Sequence, residues 1–134
     1  MDVDDKTLMA WLKSPEGFFR VMTVPTEIAQ ALGANTRQVV LSPDTLVKNR
    51  QHHPDLTDSD YAKLDQIGEN PTIAVKDGNR TVVLVKQDSE IYWTAIKATQ
   101  TGKALFLTSF RKSQESDVKR LLRKGQTVFG EWEK

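Results

Sequence analysis

Two hydrophobic rhythms divide the chain. Up to about residue 68, apolar positions recur every three or four residues, the spacing that lines one face of a helix. From Pro71 onward they alternate, as in half-buried strands. In "DDKTLMAWLK" (4–13), Leu8, Trp11 and Leu12 fall at helical spacing behind an acidic start that suits the helix dipole. "SPEGFFRVMTV" (14–24) supports neither rhythm alone. "PTEIAQALG" (25–33) predicts a short helix with Pro25 in its first turn and Gly33 past its end, and "RQVVLS" (37–42) predicts a brief strand. "SPDTLVKNRQHH" (42–53) carries a strong start signal: Ser42 can cap, Pro43 suits the first helical position, and Asp44 favours the positive end of the dipole. The residue before Pro54 is pushed out of helical geometry, so this helix should stop near His52 or His53. "TDSDYAKLDQIG" (57–68) predicts a further helix, with Thr57 as cap, Asp60 in a capping-box place and Gly68 at its end.

The second half holds four β-rich runs between "DGN" (77–79), "DSE" (88–90) and "QTGK" (100–103). Breaks this short predict an antiparallel meander. "SQESDVKRLLRKG" (113–125) then predicts a helix capped by Ser113 and ended by Gly125, and Phe129 and Trp132 in the tail are candidates to fold back on the core. The expected class is α+β: N-terminal helices packed on a roughly four-stranded antiparallel sheet, followed by a C-terminal helix. The other sheet face would be left as a working surface. The 134 residues suit a single domain, with a helical part over 1–37 and a core over 38–124.

Composition changes this picture little. With 38% hydrophobic and 28% charged residues the chain is neither disordered nor a disulfide scaffold. It has no cysteine, which removes disulfides, thiolate zinc sites and cysteine nucleophiles. No apolar run nears the roughly 18–20 residues that span a bilayer, and the acidic start of "MDVDDKTLMAWLK" lacks the basic flank of a signal peptide. Charge adds more. The net of +1 conceals eight basic residues from Lys97 to Lys124, opposed only by Glu115 and Asp117. Residues 54–70 carry Asp55, Asp58, Asp60, Asp65 and Glu69 against Lys63 alone. Such segregation can mark a basic face for a polyanion, or merely two solvated helices.

Candidate chemistry concentrates in two places. Both histidines, His52 and His53, stand at the end of the "KNRQHH" helix, where a cationic imidazole is favoured and a side chain can enter a cleft. Neighbours on a helix diverge by about 100°, and no zinc-binding spacing accompanies them, so no metal or other cofactor is expected. A proton-transfer role and an idle surface pair both fit. Along "KALFLTSFRK" (103–112), strict alternation puts Leu105, Leu107, Ser109 and Arg111 on one face and Phe106, Thr108 and Phe110 on the other. With the Phe side inward, Ser109 and Arg111 would offer a hydroxyl and a planar donor fork to a phosphate, with Lys97 on the neighbouring strand able to join them. The pair can equally be a solvated strand end.

The blocks "LSPDTLVKNRQHHPDLTDSDYAKL", "IYWTAIKAT" and "ALFLTSFRK", in this order, resemble the phage barnase-EndoU-colicin-RelE-like nuclease domains of Mu-like phage head proteins and polymorphic bacterial toxins. The resemblance covers roughly residues 38–115. It implies a metal-independent endoribonuclease on a four-stranded antiparallel sheet. By that resemblance the catalytic set is His53, with His52 as alternative, together with Lys97, Ser109 (where Thr is the commoner residue) and Arg111. Lys48, Arg50, Lys112 and Thr108 are taken as substrate contacts. The chemistry implied is transesterification of RNA to a 2′,3′-cyclic phosphate. The partners implied are RNA, an acidic immunity protein, and phage head or portal proteins, with no membrane segment. The setting implied is a soluble phage- or bacterium-associated protein acting in the cytoplasm of a target cell. The rival expectation is a non-catalytic nucleic-acid-binding or head-assembly domain, including a decayed enzyme.

Overall fold

The structure, a computed structural model, describes residues 5–132. The acidic start through Asp4 and the last two residues of the tail lie outside them. In chain order the elements are α1 (Asp5–Lys13), β1 (Phe19–Thr23), α2 (Thr26–Ala31), β2 (Gln38–Leu41), α3 (Pro43–His52), α4 (Asp58–Tyr61), α5 (Leu64–Glu69), β3 (Ile73–Lys76), β4 (Thr81–Gln87), β5 (Ile91–Ala98), β6 (Leu105–Ser113), α6 (Glu115–Lys124) and β7 (Gln126–Gly130).

The fold is α+β, but the sheet is larger and more mixed than the sequence predicts. It has seven strands in the order β1-β2-β6-β5-β4-β3-β7. The pairs are antiparallel except β2 with β6, which run parallel. Four strands are therefore too few. The ambiguous "FFRVMT" stretch is an edge strand, so residues 1–37 are not purely helical, and the tail forms β7 against β3. Strands of four or five residues are too short to declare a period of two, and their partners lie far away in sequence.

The second correction concerns the faces. Leu8, Trp11 and Leu12 of α1, Ile28 of α2, Leu46 of α3, Tyr61 of α4 and Leu64 and Ile67 of α5 bury against Val82, Leu84, Tyr92, Ile96 and Phe110. The opposite face is not wholly open. Val118 and Leu121 of α6 pack on Ile73, Val75, Val83 and Val85, with Trp93 and Trp132 at the margin. Strand β4 is thus covered on both sides, which explains its unbroken "VVLV". What stays uncovered is the half of that face formed by β1, β2, β6 and the far end of β5.

Local chemistry sets the element ends. Ser42 Oγ accepts from Thr45 N at 3.1 Å, Pro43 opens α3, and the helix stops at His52 with His53 as its C-cap. Thr57 and Asp60 form a capping box. The helix predicted over 57–68 is instead two, α4 and α5. Gly68 does not end it but lies within α5, where a Cβ would collide with Met22 of β1. Likewise Ser113 is not the cap of α6. Its hydroxyl donates to Asp117 at 2.9 Å, and Asp117 also accepts from Gln114 N.

Gly68→Ala should destabilise the fold by about 1–3 kcal/mol, the usual cost of overpacking. Urea denaturation of the variant against the wild type measures it.

Candidate active site

The site begins where β2 ends. Strand β2 pairs with β6 only at Val39↔Leu105 and Val40↔Phe106, after which the chain turns at Ser42 into α3. The rest of this β6 edge would be left without hydrogen bonds. Asn49 of α3 fills the gap: its Nδ2 donates to Phe110 O and its Oδ1 accepts from Phe110 N, both at 2.9 Å. The same amide donates to Tyr61 Oη at 2.9 Å. This buried side chain stands in for a strand and fixes α3 against β6.

One helical turn beyond Asn49 comes His53. Residues four apart share a helix face, so His53 follows Asn49 towards β6, whereas Lys48 and His52 share the outer face and are exposed. The imidazoles of His52 and His53 stand 6.4 Å apart. His53 is half-buried, and its pKa is lowered. Burial is the main cause, followed by the positive charge of Arg111, while Asp55 opposes and His52 adds a little. The charge of Arg111 is thus felt at His53 and favours the neutral imidazole, with no hydrogen bond joining the two side chains.

On β6 a bulge decides what faces where. Ala95 pairs with Ser109 but Ile96 pairs with Leu107, so Thr108 is an extra residue. Before the bulge Leu105 and Leu107 point into the main core; after it Phe110 does. The strict alternation predicted from sequence is therefore wrong across Thr108. Phe106 parts from Phe110 and joins Ser109 and Arg111 on the face opposite the helical layer. Lys97 pairs with Phe106 and shares that face. Three cross-strand rows result: Phe106 with Lys97, Ser109 with Ala95, and Arg111 with Trp93.

Within this array Arg111 is already engaged. Its guanidinium lies over the Trp93 ring at 4.5 Å from the centroid, and Nη1 is 3.6 Å from Asp117 and 3.5 Å from Ser113 Oγ. Those contacts are made by Nη1, leaving the other donors of the fork for a ligand. Ser109 is half-buried, and its hydroxyl makes no hydrogen bond among the described residues. Lys97 is exposed and forms no ion pair among them, and it stands about 13 Å along the sheet from the Arg111 row.

The other predicted contacts are dispersed. Lys112 points to the helical side, 3.9 Å from Asp60 and 3.6 Å from Glu90. Arg50 donates to Leu12 O at 3.2 Å and pairs with Asp58 at 3.5 Å. Thr108 is exposed and donates to Ala95 O at 3.2 Å. Part of the basic run from Lys97 to Lys124 is also paired within the fold, where Lys119, Arg120 and Lys124 meet Glu115, Asp117 and Asp77. Among the described residues no group of three or more His, Asp or Glu is placed to hold a metal ion, and no helix is long and apolar enough to cross a membrane.

Beneath the site lies a polar knot that sequence reasoning missed, apart from the cap itself. Tyr92 Oη donates to Asp60 Oδ1 at 2.7 Å, and Asp60 Oδ2 accepts from Thr57 N at 2.8 Å. Burial pushes the Asp60 carboxyl up, but bonds from Thr57 and Tyr92 and the Lys112 charge outweigh it, and its pKa is lowered. Burial and the Asp60 bond raise the Tyr92 phenol well above its usual range. Only the Thr57–Asp60 spacing signalled this knot; nothing in the sequence singled out Tyr61 or Tyr92.

Compared with known proteins, the chain matches no family model, no curated protein and no solved structure.

Asn49→Ala leaves two buried backbone groups of Phe110 unpaired, at about 1–3 kcal/mol each. A loss of about 2–4 kcal/mol in urea unfolding is expected. Asp60 has a depressed pKa in the fold, so its contribution is complete above its ordinary value near 3.8 and fades as pH falls through the lower folded value. The stability gap between wild type and Asp60→Asn should be constant from pH 7 to 5 and shrink below pH 4 in acid titrations of the urea midpoint.

Proposed function

We propose that the chain is a metal-independent endoribonuclease that cleaves RNA by transesterification to a 2′,3′-cyclic phosphate. One observation carries this reading: a half-buried imidazole favoured in its neutral form, His53, feels the charge of Arg111, whose neighbour on the same face, Ser109, has a hydroxyl without a hydrogen bond among the described residues. A neutral imidazole can take the proton of a 2′-hydroxyl. The guanidinium and hydroxyl can hold the phosphate and stabilise its pentacoordinate charge, Arg111 sharing its fork between Asp117 and the ligand. His52, on the outer face beside Lys48, is the available acid for the leaving 5′-oxygen. The resemblance of the "KNRQHHPDL" and "LFLTSFRK" blocks to phage and toxin nuclease domains supports the same assignment. In that setting an acidic immunity protein would compete with RNA for this surface.

A second reading, a non-catalytic nucleic-acid-binding or head-assembly domain, draws on the Asp117 and Trp93 contacts, which satisfy part of Arg111 without any ligand. Total RNA incubated with the chain in EDTA separates the two. Cleavage with cyclic-phosphate ends supports the enzyme, and intact RNA with salt-sensitive binding supports the binding domain.

For the enzyme, His53→Ala should lower turnover by roughly a hundred- to ten-thousandfold, with far less change in KM. A base must be neutral to act, so activity should persist as pH falls through 6.5 and decline only below the lowered His53 value. Arg111→Ala removes one of the charges that lower it, so the remaining activity should show an acid limb moved upward. A pH–rate profile of both proteins checks the direction.

A further inference from the structure

The uncovered corner of the sheet carries a feature that the cleavage chemistry does not use. Phe18 is 65% exposed, more than any other described aromatic, and its position is built into the chain. Trp11 Nε1 donates to both Glu16 O and Gly17 O, at 3.1 and 3.2 Å, and stacks on Phe19 at 5.4 Å. Gly17 takes a positive φ of 67°, open to glycine at little cost. With the loop pinned and Phe19 turned inward, Phe18 is held outward. It meets Phe106 edge to face, with centroids 5.5 Å apart.

Phe106 belongs to a row that crosses five strands in register: Arg20, Val40, Phe106, Lys97 and Thr81. Beside it is a cavity of about 280 Å³ lined by Arg80, Lys97, Gln100, Phe106 and Thr108. Its wall is apolar at Phe106, and its rim carries two cations, Arg80 and Lys97, with no carboxylate partner among the described residues. Five other basic residues of the second half, Arg111, Lys112, Lys119, Arg120 and Lys124, are paired with acidic neighbours. An aromatic surface flanked by unneutralised cations is what single-stranded nucleic acids bind: the ring stacks on a base and the cations take the phosphates beside it. The volume falls below the roughly 300–1,000 Å³ of drug-sized sites and suits one base.

We propose that Phe18 and Phe106 form a stacking subsite for one base of single-stranded RNA, with Lys97 and Arg80 holding the adjoining phosphate. This rests on the ribonuclease reading for the identity of its ligand. It also changes the part Lys97 plays there. Two rows from Arg111, Lys97 serves the neighbouring nucleotide instead of the scissile phosphate. Gln100, whose amide can both donate and accept, meets the base edge, and the phenylalanines accept any base.

A fluorescein-labelled 2′-O-methyl RNA pentamer, which lacks the attacking hydroxyl, tests binding apart from cleavage by fluorescence anisotropy. Phe18→Ala should weaken it roughly ten- to hundredfold, the range found for a stacked base. Phe18→Trp should restore it, and the melting temperature should stay unchanged because the ring is exposed. Lys97→Ala should lower affinity and reduce the slope of log affinity against log salt by about 0.7. A pentamer that binds Phe18→Ala as well as wild type overturns the subsite. So does a pentamer left free while Phe18 drives self-association in sedimentation. RNA cleavage that persists with an unchanged KM in both variants overturns the subsite and leaves the ribonuclease standing. Phe18-dependent binding without cleavage by the wild type keeps the subsite and removes the ribonuclease.

Discussion

The double hydrogen bond between the Asn49 amide and the backbone of Phe110 is the constraint from which the rest of the site follows. Strand β2 is too short to cover the whole β6 edge, and an uncovered buried edge is costly. One side chain from α3 closes it. That choice sets the depth and rotation of α3, sends His53 towards β6 and leaves His52 outside. It also ties the helix to Tyr61 and, through the aromatic stack of Phe110 on Tyr92, to the Asp60 carboxylate. Packing and candidate chemistry here share the same atoms.

The parts of this arrangement that local chemistry dictates were legible in the sequence. Ser42, Pro43 and Asp44 announce the start of α3, Pro54 announces its end, and Thr57 with Asp60 announces a cap; each acts within a turn of itself. What was not legible depends on distant partners. The bulge at Thr108 has no glycine or proline to mark it, and it exchanges the partners of Phe106 and Phe110 across the sheet. Gly68 looks like a helix stop, yet it is needed because Met22 approaches from β1. The face assigned to Ser109 and Arg111 was right, but the reason given for it, alternation through the Phe pair, was not.

Charge told a similar story. The basic second half looks in sequence like one cationic surface, because a linear count cannot see that Glu115, Asp117, Asp77, Asp60 and Glu90 are set beside its lysines and arginines. Folding pairs five of these residues with carboxylates, while Lys97 and Arg80, with no carboxylate partner among the described residues, stand at the corner of exposed Phe18 and half-buried Phe106. Selectivity for a polyanion would then depend on where bare cations remain, not on how many the chain contains.

The parallel pairing of β2 with β6 has a consequence for when the molecule becomes competent. Asn49 and Phe110 lie 61 residues apart, and no shorter-range contact can stand in for the junction between them. As a chain grows from a ribosome, α3 can meet α1 and α4 early, through Arg50 with Leu12 and Asp58, but its seat against the sheet forms only once β6 has emerged. Loop closure over that span comes late and slows assembly. A chain so built would seat α3, and the imidazoles at its end, against the sheet only after nearly all of that sheet had been made.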